Sequence, residues 1–238
     1  MTSSRYSAER KSNKSSPFSQ FRRCLPRLGE YRIQIVNDPP EITIRHHHLA
    51  IGDKDVLKFT QILDACEFDY VIMSGYVAIL TGRSRSTEDI DIILESLSET
   101  ETEQLVTELK DHGYWGMAMP LDEMYSMLSE GSRIRIAEEG EMYPNFETWF
   151  VSNDVEREAL SNPLTVIFDE GQIEISPLEL QIAYNLRLAQ AADSLSGKDF
   201  EDALHLYLTF EERFNTEQLE TYVNKLGVED YYAELTGV

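Results

Sequence analysis

Cysteine, lysine and long apolar runs are all scarce in this chain. The two cysteines, Cys24 and Cys66, form no CxxC pair and no Cys/His ligand spacing, which argues against a disulfide scaffold or a zinc ribbon. Apolar runs such as Tyr76–Leu80 fall far short of the roughly 20 residues that span a bilayer, so no membrane partner is expected and a cytoplasmic location is. Familiar catalytic signatures are missing too. There is no GxGxxG, no GxSxG, no HExxH and no HRD, and Gly197-Lys198 is followed by Asp199 rather than completing a GxxxxGK[ST] loop. What is present is length and acid. With 238 residues the chain suits one or two domains, and burial of about 70 % of its unfolded surface needs no metal or disulfide staple.

The charge is uneven. The whole chain carries 43 acidic and 21 basic residues. Residues 1–50 hold nine Lys/Arg against four acids, which leaves residues 51–238 at a net −27. A body that acidic repels phosphate backbones, so broad nucleic-acid binding is not expected. Seven Lys against 14 Arg, with this acid excess, resembles the halophile-like surface of a protein suited to a salt-rich cytosol. An ordinary soluble acidic protein has the same composition.

Three regions can be read along the chain. Residues 1–50 form a basic leader whose first 28 residues, with seven Ser and seven basic groups, predict disorder. A transit peptide shares that composition, but no amphipathic stripe accompanies it. Alternating segments at Tyr31–Val36 and Glu41–His48, split by Asn37-Asp38-Pro39-Pro40, predict a hairpin or two short strands. His46, His47 and His48 are expected to be exposed polar residues rather than metal ligands, since only His46 and His48 share a strand face. Residues 51–176 read as mixed helix and strand. A helix from about Val56 to Cys66 has Asp53 available as N-cap. Strands are predicted at Tyr70–Met73, Asp89–Leu94, Arg133–Ile136, Glu147–Val151, Leu164–Phe168 and Gln172–Ile175. A helix opens at Tyr76 and stops at Gly82. Another follows a Ser98/Glu101 capping box to about His112, and a further one covers Pro120–Leu128. Residues 177–238 read as helical, with stripes at Leu178–Ala189, after Gly197 and over Thr216–Leu226. The fold class expected is α+β, a mixed sheet with flanking helices and a C-terminal helical region.

The chemistry concentrates in one stretch, Met73-Ser74-Gly75-Tyr76 through Gly82-Arg83-Ser84-Arg85-Ser86-Thr87-Glu88-Asp89-Ile90-Asp91. An acid-x-acid pair alone carries no weight, because this composition gives roughly eight of them by chance. Context gives Asp89 and Asp91 theirs. Two apart on a buried strand, they point the same way, and two inward carboxylates are costly unless a cation lies between them. Mg2+ or Mn2+, held by carboxylates and substrate phosphates, suits that arrangement. A Ser74-Gly75 turn opening a helix offers backbone N–H groups to phosphate, and Gly75 permits close approach. Arg83 and Arg85 can neutralise phosphate oxygens, or else simply pair with Glu88 and its neighbours.

This segment resembles the signature of the nucleotidyltransferase superfamily, in which a strand, a Gly-Gly or Gly-Ser turn and a helix precede an Asp-x-Asp strand. Its form looks most like the branch of abortive-infection type nucleotidyltransferase toxins and their uncharacterised prokaryotic relatives, over roughly residues 55–210. The resemblance implies that Ser74 and Gly75 hold the triphosphate, with Arg83, Arg85 and Thr87 in the nucleotide site, and that Asp89 and Asp91 bind the metal. It also implies a third acid on a later strand. Glu147, ahead of an apolar strand, is the choice, with Glu174 as rival; either one also reads as an ordinary strand glutamate. Lys198 and Asp199 match a helix start that faces the nucleotide, although Asp199 there equally favours the helix dipole. Two departures stand out: Ser74 replaces the first glycine, and Asn185 stands where relatives commonly carry lysine. The implied activity is metal-dependent transfer of a nucleoside monophosphate from an NTP to a hydroxyl of protein, RNA or a small molecule, with a cognate antitoxin as partner. The alternative is a catalytically weak nucleotide-binding or toxin–antitoxin module of the same fold.

Overall fold

The computed structural model describes residues 32–37, 40–45 and 51–237. The basic leader over 1–28 and the His46–His48 run lie outside the described residues. Nine strands form one mixed sheet among those residues. In chain order they are β1 (Arg32–Asn37), β2 (Pro40–Arg45), β3 (Tyr70–Met73), β4 (Asp89–Leu94), β5 (Tyr114–Gly116), β6 (Ile134–Glu138), β7 (Asn145–Phe150), β8 (Leu164–Ile167) and β9 (Gln172–Ile175). Their spatial order is β1-β2-β8-β9-β3-β4-β7-β6-β5. β2/β8, β3/β9 and β4/β7 pair parallel, and the other neighbours pair antiparallel. The hairpin expected before residue 50 is present, and its second strand extends the main sheet through β8. The sheet therefore crosses the boundary drawn at residue 50.

Helices α1 (Ile51–Ala65), α2 (Gly75–Leu80), α3 (Glu99–Asp111), α4 (Met124–Ser129) and α5 (Asp154–Ser161) interleave with the strands. α6 (Leu178–Ala191), α7 (Lys198–Phe210), α8 (Thr216–Leu226) and α9 (Glu229–Thr236) follow them. The α+β class with a helical C-terminal region is thus what the chain adopts. The central strands β3 and β4 are apolar on both faces apart from two aspartates, and Val71, Ile72, Ile92, Ile93 and Leu94 are fully buried, as strands covered on both sides require. Phe59 of α1 stacks on Phe146 of β7 with ring centroids 4.0 Å apart, and Tyr114 meets both rings edge-on. Such aromatic packing adds about 0.5–1.5 kcal/mol per pair beyond area burial.

Local chemistry explains most element ends. Ser98 and Glu101 form the full capping box of α3. Gly227, in the left-handed region at φ 66°, closes α8. Asp53 is the exception to its expected role. α1 begins at Ile51, so Asp53 lies inside the first turn, where its buried carboxylate accepts a 2.8 Å bond from the Tyr76 hydroxyl. Three elements carried no clear signal. α5 and α9 are eight residues each and β5 is three. Among the described residues no helix is long and apolar enough to cross a membrane.

Candidate active site

The sheet builds the site from four strands. Met73 of β3 lies beside Asp91 of β4, Asp91 beside Glu147 of β7, and Glu147 beside Arg135 of β6. Side chains in register across neighbouring strands share a face, so this rung sets Asp91, Glu147 and Arg135 in a row. Asp89 stands one pleat away, in register with Asn145. Asn145, almost fully buried, donates at 2.9 Å to an Asp89 oxygen and at 3.1 Å to the Glu88 carbonyl.

Two arginines from one segment close the row. Arg133 lies 3.2 Å from one Glu147 oxygen and 3.9 Å from Asp91, and Arg135 lies 3.3 Å from the other Glu147 oxygen and 3.9 Å from Asp89. The Arg133 guanidinium also rests 3.8 Å above the Trp149 ring, a cation–π contact that fixes its direction. Burial, then the Glu147 charge, pushes the Asp91 carboxyl up to about 6, against the opposing pull of the Ser74 hydroxyl and Arg133. Burial and a like charge therefore disfavour the ionised form of Asp91.

The Ser74-Gly75 turn ends β3 next to this row. Ser74 has φ 64° and ψ −139°, a conformation that glycine enters freely and that costs other residues about 1–3 kcal/mol. A clamp from α6 holds it. Gln181 accepts from the Ser74 N–H at 3.0 Å, and its own amide N–H groups reach the Ser74 carbonyl at 3.4 Å and Asn185 at 2.9 Å. Asn185 is buried, and its side-chain NH2 has no partner. Tyr184, on the same helix, has its hydroxyl pushed up by burial and interacts electrostatically with Arg133 and Asp91.

Opposite Gly75 stands the Arg83–Thr87 loop. A methyl group on Gly75 would sit 2.1 Å from Arg85 Nη2, so the Arg85 guanidinium lies directly against the turn. Arg83 and Arg85 both bind Asp202 of α7, rather than Glu88 or its neighbours. Thr87 donates at 2.9 Å to the Asp89 carbonyl and closes the loop onto β4. Lys198 is exposed at the start of α7. Beside it, burial pushes the Asp199 carboxyl up, partly offset by Lys198.

Of the two rivals for the third acid, Glu147 joins the aspartates. Glu174 lies on β9, bound to Thr165 at 3.0 Å and facing the charges of Asp64 and Glu41. Asn145, Arg133, Arg135 and Gln181 were not singled out from sequence. Cross-strand and helix-to-turn pairing reveals them, and single-chain spacing contains no trace of either.

The carboxylates of Asp89, Asp91 and Glu147 offer oxygen donors, the kind a hard divalent cation takes. Among the described residues no group of three or more His, Cys, Asp or Glu side chains is drawn close enough to hold a metal ion as it stands. A cation here would take its remaining ligands from phosphate and water, as Mg2+ commonly does.

No family model matches the chain, and no curated protein matches it in sequence. Among solved structures it is similar to an antigenic nucleotidyltransferase-like protein from Paracoccidioides brasiliensis, with a TM-score of 0.49 and 15% identity over 79% of this chain and 94% of that one. It is similar to the lincosamide antibiotic adenylyltransferase LnuA, solved with lincomycin bound, with a TM-score of 0.44 and 18% identity over 65% and 95% of the two chains. A third similar structure is the antibiotic-resistance factor ANT(2'')-Ia, with a TM-score of 0.48 and 13% identity over 77% and 94%. At these levels of likeness nothing about activity passes from those proteins to this one.

Proposed function

We propose that the chain is a nucleotidyltransferase that moves a nucleoside monophosphate from an NTP to a hydroxyl acceptor. One observation carries the reading: Asp91 and Glu147 share a rung with Asp89 one pleat away, beside a strained Ser74-Gly75 turn. In the reaction the acceptor oxygen forms a bond to the α-phosphorus and gives up its proton to a carboxylate of the site or to solvent, the α–β anhydride bond breaks, and pyrophosphate leaves with the electron pair.

Each group has a part. Asp89, Asp91 and Glu147 would hold Mg2+ or Mn2+, and Asn145 fixes the Asp89 carboxylate by its 2.9 Å bond. A bound ion of that kind stabilises phosphate charge and lowers the pKa of an attacking hydroxyl. The free N–H groups of a helix's first turn, here Gly75 and Tyr76, suit phosphate oxygens. Arg85, against Gly75, adds positive charge there. Arg133 and Arg135 hold Glu147 in line and keep the acid row from repelling a polyphosphate. Lys198 and Asp199, on the helix that meets Arg85, belong to the same side of the site. The acceptor is a hydroxyl of protein, RNA or a small molecule, and a toxin-like role with a cognate antitoxin is what the sequence resemblance implies.

A second reading rests on Asn185. A buried neutral amide with an unpartnered NH2, where relatives commonly carry a cation, suits a nucleotide-binding module that turns over slowly. A screen of four α-phosphate-labelled NTPs with Mg2+ or Mn2+, against self, extract protein and tRNA, separates the two. The enzyme labels an acceptor, and the Asp89→Asn/Asp91→Asn variant abolishes it. Unchanged labelling by that variant would refute the mechanism, whereas NTP binding without product over hours would favour the slow module.

A further inference from the structure

The nucleotidyl reading leaves Asp202 unused, although it is about 1 % exposed and carries three arginine N–H groups. Its oxygens take Arg85 Nε at 3.1 Å and Arg85 Nη2 at 2.6 Å, and Arg83 Nε at 3.3 Å. This is a bidentate grip on Arg85, the arginine whose guanidinium lies against Gly75. Glu201, next along α7, takes the Arg83 Nη2 group, and the Ser86 carbonyl takes Arg85 Nη1 at 2.9 Å.

A guanidinium has five N–H donors in a fixed plane. Asp202 and Ser86 use three of those on Arg85. One N–H on each Nη remains, and the guanidinium faces the Gly75 turn, where a charge-assisted bond to a phosphate oxygen would be strong. Asp202 pairs with these two arginines and also acts electrostatically on the His205 imidazole, and a buried ion pair is weak evidence of a role in stability alone. Its geometry does something else: it fixes a long, flexible side chain in one orientation over a glycine that has no side chain to displace it.

We propose that Asp202 is a positioning residue, holding the Arg85 guanidinium over Gly75 so that its free N–H pair grips the polyphosphate of the NTP. The inference rests on the nucleotidyl reading and adds a residue from the helical region to it. It also gives Gly75 a second reason to be glycine, since a β-carbon there would push Arg85 off the turn.

The test is a thermodynamic cycle on the full chain, read by calorimetric binding of inorganic triphosphate with Mg2+ and by steady-state transfer from NTP. Asp202→Asn and Arg85→Ala should each raise KM for NTP and weaken triphosphate binding by about tenfold or more, with kcat changed much less. The double variant should lose much less than the sum of the two single losses, because Asp202 acts mainly through Arg85 and grips Arg83 only by the longer 3.3 Å bond. Glu201→Gln, which removes only the outer partner of Arg83, should leave both readouts within about twofold. Gly75→Ala displaces Arg85 from the turn while leaving Asp202 itself in place, and should weaken triphosphate binding even if Asp202→Asn folds poorly. Additive losses in the double variant, or full-strength binding by Gly75→Ala, would overturn the proposal while leaving transfer by the unmodified chain intact. Failure of the unmodified chain to bind triphosphate would overturn the nucleotidyl reading and this inference with it.

Discussion

Burial first, and then the neighbouring Glu147 carboxylate on the same rung, raises the Asp91 carboxyl to about 6. A group raised in the folded state adds its full stability below its unfolded value and loses it as pH rises through the folded one. In EDTA above pH 7, Asp91→Asn should therefore raise stability by on the order of 1 kcal/mol while destroying transfer, as thermal unfolding and labelling would show. The gain should vanish near pH 4. Ser74 makes the companion prediction. Its positive φ suits glycine, so Ser74→Gly should be stabilising by roughly 1 kcal/mol in thermal unfolding. The aspartate pair and the turn were legible because their residues are close in sequence. Arg133, Arg135 and Asn145 were not, because they reach the same place through strand pairings that no local period encodes.

At the scale of elements, α7 is joined to the α2–β4 connection by polar contacts as well as packing. Asp202 holds both arginines, and His205 meets the Thr81 carbonyl at 3.1 Å. Burial lowers the His205 imidazole's affinity for a proton, with the Thr81 bond opposing. Its unfolded form binds protons first as pH falls, so its stabilising contribution is complete above its ordinary 6.5 and declines below that value. In urea titrations from pH 8 to 5, His205→Gln should lose less stability, or gain more, below about pH 6.5 than the unmodified chain. Long periodic helices such as α3 and α6 could be read directly from the sequence. α5 and α9 could not, since eight residues give too little of a stripe for tertiary packing to be anticipated.

Across the whole molecule, sheet and charge set the terms. The second N-terminal strand pairs parallel with β8, a contact more than 100 residues apart in sequence that composition alone placed in a separate leader. A net charge of −22 makes self-repulsion a general cost, one that salt screens within a Debye length of about 10 Å at 0.1 M. The melting temperature should accordingly rise between 10 and about 200 mM NaCl; a flat or falling profile would mean that local ion pairs, not the global field, dominate.

The location of the divalent ion tests the central claim most directly. With substoichiometric Mn2+ and a non-hydrolysable NTP, paramagnetic broadening of backbone amide signals should centre on Asp89, Asp91, Glu147 and the Ser74-Gly75 turn, and Asp91→Asn should abolish it. Broadening spread over the acidic surface, or centred away from the Asp91–Glu147 rung, would contradict the account.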